Sequence, residues 1–220
     1  MVYIWINPVT ASMYDNNALD EFLYHNGYER FAVETDWISI VREKYKKAVE
    51  KATGPVMDVR CPKIKKLLDE MNLTDKVEIP DIAPILIHCG QEMAFQVELK
   101  NVKKVITTPC QALANMGNAL EMADTWFVPW KTFLKNVGTE PEGVCPQKSP
   151  IPSGFFDDLN LHMKSVSGEK EIRECLKREF LDKEKTDIQL VEMLFCEGGC
   201  HNGDGIRRDE DEGERKKLEK

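Results

Sequence analysis

Short apolar runs, alternating with segments of helical period, constrain this chain most. "VYIWI" (2–6), "FAVET" (31–35), "VMDVR" (56–60), "ILIHC" (85–89), "KVITT" (104–108), "TWFVP" (125–129) and "VEMLF" (191–195) each read as a β-strand. Several are continuous hydrophobic runs, the pattern of a strand covered on both faces. Helical stripes fit between them. "NNALDEFLYHNG" ends at Gly27, a good stop. Asp36 can cap a helix that carries Ile38, Val41, Tyr45 and Ala48. Pro62 suits a first helical turn ahead of Ile64, Leu67, Leu68 and Met71. Leu113, Met116 and Leu120 form another stripe, and Ile172, Cys175, Leu176 and Phe180 one more. The alternation predicts an α/β fold of two lobes, each a mostly parallel sheet flanked by helices. The expected boundaries are 1–95 for the first lobe, 96–202 for the second, and 203–220 for a charged, flexible tail. The proline-rich stretch from Gly138 to Asp158 reads as a long ordered loop.

At 220 residues and 42% hydrophobic, the chain can bury a substantial core. Its formal net charge of −8 argues against a nucleic-acid partner, which needs a basic surface. No apolar run approaches the length of a membrane span. The opening "MVYIWINP" reads as a first strand and not a signal peptide, so a cytoplasmic location is expected.

The cysteines carry the functional signal. There are seven, at 61, 89, 110, 145, 175, 196 and 200. An odd count in a cytoplasmic chain fits poorly with a disulfide framework. Cys175 sits on an apolar helical stripe and reads as core. Cys89 suits either burial or the wall of a site, and Cys145 lies in the proline-rich loop. Cys61, Cys110 and Cys196 each follow a predicted strand, at the edge where open α/β sheets bind ligands. Cys200 comes one glycine turn later, after Gly198 and Gly199. Helix N-termini and glycine amides beside those thiols would suit an anionic four-iron four-sulfur (4Fe-4S) cluster. Zinc is the competing metal, although only one close cysteine pair is present.

Three segments resemble the cluster-binding domain of the iron-iron (iron-only) hydrogenases. These are "VRCP" (59–62), "TPCQAL" (108–113) and "EMLFCEGGCHNGDG" (192–205). The family's motifs are Thr-Ser-Cys-Cys-Pro, Met-Pro-Cys-x-x-Lys and Glu-x-Met-Ala-Cys-x-Gly-Gly-Cys. The resemblance implies that Cys61, Cys110, Cys196 and Cys200 hold one 4Fe-4S cluster in the cleft between the lobes. Arg60, Pro62, Pro109, Glu192, Gly198, Gly199 and His201 would then surround it. The family's proton-relay cysteine is replaced by Arg60, its cyanide-holding lysine by Leu113, and its methionine by Thr108. Asp204 and Ile206 interrupt the glycine-rich end. No catalytic residue is therefore assigned.

The expected function is electron transfer or redox sensing without hydrogen activation, with a redox partner protein and neither nucleic acid nor membrane. A divergent hydrogenase with a two-iron subsite at Cys200 is one alternative. A zinc-binding or metal-free scaffold is the other.

Overall fold

The computed structural model describes residues 1–151, 153–181 and 186–206. From residue 207 on, the expected tail lies outside the described residues, as does Pro152 of the proline-rich loop. The chain divides into two compact units. Unit 1 comprises Met1–Val33, Gly90–Pro150 and the chain from Cys200; unit 2 comprises Glu34–Cys89 and Ile151–Gly199. Both units are discontinuous in sequence, so the contiguous spans 1–95 and 96–202 do not coincide with them.

Unit 1 carries a four-stranded parallel sheet. Strand β1 (Val2–Trp5) is followed by a short helix α1 (Pro8–Ala11), helix α2 (Asn16–His25) and strand β2 (Tyr28–Arg30). In the middle of the chain the same sheet takes β4 (Lys104–Thr108) and β5 (Thr125–Pro129), in the order β2-β1-β4-β5. Helices α6 (Gln111–Asn118) and α7 (Trp130–Val137) follow those two strands. Asp15 starts α2 by accepting from the amides of Asn17 and Ala18. Gly27, at φ +84°, turns the chain from α2 directly into β2. The strand therefore falls at Tyr28–Arg30, and "FAVET" contributes only the rung from Phe31 N–H to the Ile4 carbonyl.

Phe127 of β5 is buried, and a Cβ on either Gly90 or Gly117 would run into its ring. Gly117→Ala forces a methyl group into this contact. It should cost about 1–3 kcal/mol, the usual range for overpacking, read as a lower midpoint in denaturant unfolding.

Unit 2 carries a three-stranded parallel sheet, β3 (Val56–Met57), β7 (Leu190–Leu194) and β6 (Met163–Ser167), in the order β3-β7-β6. Its helices are α3 (Trp37–Lys51), α4 (Pro62–Glu70) and α8 (Glu169–Leu176). Asp36 caps α3 through the Ser39 amide, and Pro62 opens α4, as their residue types predict. All five residues of β7 are buried. Their side chains alternate between two faces. Val191 and Met193 join the core beneath α4 and α8, with Ile64, Leu67, Leu68, Ile172 and Leu176. Leu190 joins Val41 and Tyr45 of α3 and Phe156 on the other face.

Two segments depart from expectation. "ILIHC" is the start of helix α5 (Ile85–Phe95), whose first N–H groups, at Ile87 and His88, bond the Pro84 carbonyl. A short apolar run does not separate a strand from a buried helix. The division between the units falls inside this helix, after Cys89. Strand β6, "MKSVS", has too little apolar character to be read as a strand and is identified only by its register on β7.

Candidate functional site

In unit 2 a buried charge network joins Asp58, just after β3, to Glu192, the central residue of β7. Glu192 is the only charged residue of β7, and it faces the α3 side with no exposure. A buried carboxylate must be paired or fully hydrogen-bonded. Its two oxygens accept from Gly154 N–H (2.6 Å), Phe155 N–H (3.0 Å), the Ser165 hydroxyl (2.7 Å) and the Arg60 guanidinium (3.2 Å). Asp58, equally buried, accepts a fork from Arg60 at 2.9 and 2.7 Å, and the Arg60 backbone N–H as well. The guanidinium lies over the rings of Phe155 and Phe156, 3.8 and 4.7 Å from their centroids.

Burial works against the Arg60 charge, but Asp58, with Tyr45 and Glu192, outweighs it and holds its pKa above the ordinary value. Burial, together with the Asp58 charge, pushes the Tyr45 phenol far above its usual range. The Tyr45 hydroxyl accepts from Val59 N–H at 3.2 Å. The network therefore consists of groups saturated by one another. It anchors the Gly154–Phe156 segment over the sheet.

Cys61 and Cys196 also lie in unit 2, after β3 and β7 respectively. Cys61 is the N-cap of α4 and makes no regular capping bond. Burial pushes its thiol pKa up, against the pull of the Phe195, Lys63 and Ile64 amides, so the uncharged thiol is favoured. Gly198 and Gly199 adopt φ values of +71° and +121°. A Gly199 N–H bond to the Cys196 carbonyl closes this turn. These glycines are required by the backbone of the turn.

Cys110 and Cys200 lie in unit 1. Cys110 is the N-cap of α6, but the anion at that helix end is Asp204, whose carboxylate accepts from Gln111 N–H at 2.9 Å. The segment from Cys200 to Ile206 folds over the ends of β4 and β5. Gly205 N–H bonds the Pro109 carbonyl, and the Gly205 carbonyl accepts from Lys131 N–H. A Cβ on Gly203 would collide with the Pro109 carbonyl oxygen. The glycines of "HNGDG" thus permit close backbone packing, and Ile206 is buried as part of it. His201 is buried beside Asn202.

These placements overturn the cluster reading. Among the described residues, no group of three or more His, Cys, Asp or Glu side chains could hold a metal ion. The donor set expected at Cys61, Cys110, Cys196 and Cys200 is not gathered. None of the seven cysteines is joined in a disulfide. The 4Fe-4S cofactor, the iron–sulfur site in an interlobe cleft, and the electron-transfer or redox-sensing function built on them do not stand. No protein-family model matches the chain, and no curated protein does either. The resemblance to the iron-iron hydrogenase domain fails with them: it rested on short cysteine- and glycine-containing segments, and these serve turns and backbone packing.

Sequence reasoning missed Asp58 and misread Arg60. A lone acid inside the run "VMDVR" was the available signal, because a buried strand cannot carry one unpaired. Among the described residues, no helix is long and apolar enough to cross a membrane.

Proposed function

We propose that this chain is a metal-free scaffold that acts by engaging a protein partner, not by catalysis or electron transfer. The observation that carries this reading is the Asp204 carboxylate at the N-terminus of α6. The chain itself supplies the negative charge that the helix end would otherwise offer to a ligand. The same pattern holds in unit 2, where Asp58 and Glu192 are saturated by Arg60, amides and a hydroxyl. Side chains bonded in this way position segments of the fold. A net charge of −8 favours a protein partner over nucleic acid. Seven cysteines with no disulfide among them suit a reducing, cytoplasmic setting.

The test is a metal and sulfide count on protein purified without oxygen, paired with unfolding in the presence of a chelator. The expected result is iron, zinc and sulfide far below one equivalent, with an unfolding midpoint that the chelator does not move. Roughly four irons and four sulfides per chain, or about one zinc, lost together with the fold on chelation, would overturn the proposal.

A further inference from the structure

The four sheet edges are treated unequally. On β5 the backbone groups of Thr125, Phe127 and Pro129 point away from β4, as the register and the Lys104 N–H bond to Asp124 require. Thr125 N–H is bonded to the Met122 carbonyl. Phe127 is sealed on both sides by the Asn118 carboxamide, which donates to its carbonyl and accepts from its N–H, each at 2.8 Å. Pro129 has no N–H. On β3 the outer edge is covered by Glu78, which bonds Met57 N–H and the Pro55 carbonyl. β2 is only three residues long. Short strands and blocked donors are how proteins suppress pairing at an edge.

Among the described residues β6 carries no such device. Gly168 N–H bonds Leu194 and the His162 carbonyl accepts from Gln189, so the even-numbered backbone groups face β7. Met163, Ser165 and Ser167 then turn their N–H and C=O groups outward, and Ser165 is exposed. Among the described residues nothing bonds those backbone groups.

We propose that β6 is a pairing edge for a second copy of this chain, joined antiparallel about a two-fold axis through Ser165. This rests on the scaffold reading above and names its partner. The edge is self-complementary. With Ser165 opposite its own copy, Met163 faces Ser167 of the second chain, and every outward donor meets an outward acceptor. Lys164 falls opposite Val166, so no like charges oppose each other, and the Lys164 ammonium is already bonded to Glu179. A foreign peptide could satisfy the same backbone groups, but nothing in the edge selects its side chains. The symmetric register selects a copy of itself. Because each chain carries a net charge of −8, added salt should strengthen the association by screening repulsion. A strand of five residues makes a small interface, so the dimer should be weak.

The test is sedimentation over a rising concentration series, with hydrogen exchange read at the outward amides of Met163, Ser165 and Ser167. The wild-type chain should rise from monomer toward dimer mass, more readily at higher salt, and these amides should become protected as it does. Ser165→Pro removes the donor at the axis and should remain a monomer. Ser165→Ala keeps that donor, loses only the hydroxyl bond to Glu192, and should still dimerise. The exchange readout on the wild type stands even if the proline variant fails to fold. A monomer at every concentration overturns the proposal and leaves the edge to a heterologous peptide; so does a dimer whose Met163, Ser165 and Ser167 amides exchange freely. Neither result touches the metal count, so the two proposals fail separately.

Discussion

Arg60→Met should destabilise the chain by about 3–5 kcal/mol, the range for leaving buried charges without their partner. Asp58 and Glu192 are fully buried, and Arg60 is the cation bonded to both. Methionine keeps much of the side-chain volume over Phe155 and Phe156 but supplies no donor. Denaturant unfolding of the variant and the wild type at pH 7 measures the difference. A loss below about 1 kcal/mol at pH 7, the scale of an exposed ion pair, would show that the network is not the keystone of unit 2. Arg60→Lys retains the charge without the planar fork and should fall between the two.

Trp130→Ala should cost about 3–5 kcal/mol, as truncation of a large buried aromatic does. Trp130 begins α7 with no exposed surface, stacked on Phe133 at 5.0 Å and edge-on to Tyr14 at 5.7 Å. Its indole N–H donates to the Tyr14 hydroxyl at 2.8 Å. Tyr14→Phe separates the parts of this contact. It leaves the ring in place and the indole donor buried without an acceptor, and should cost about 1–3 kcal/mol. Thermal or denaturant unfolding of both variants checks the order. Equal losses would mean that the hydrogen bond dominates the ring packing.

What the sequence disclosed follows from the range of the interactions involved. β1, β4, β5 and β7 were legible because each lies on a short run rich in β-branched and other apolar residues, and the caps at Asp36 and Pro62 act within a single helical turn. "ILIHC" is ambiguous because four or five apolar residues fit a helix as well as a strand; Pro84 just ahead of it suits the start of a helix. β6 was missed because its pairing depends on β7, more than twenty residues away in sequence. The cysteines misled for a related reason. A glycine beside a thiol has the same composition whether it opens a path to a metal, adopts a positive φ as Gly199 does, or makes room for a carbonyl as Gly203 does. Only the folded backbone distinguishes these roles. Arg60 was first read as the loss of a proton relay; its partner Glu192 lies 132 positions away.

The Asn118 carboxamide that seals β5 has a consequence for crowded solutions. A sheet that can accept neighbours on two sides polymerises without limit, and fibres grow in that way. With β5 sealed by Asn118 and β3 covered by Glu78, a pair formed through β6 would offer neither of those edges to a further chain, so raising the concentration would yield more pairs without building filaments.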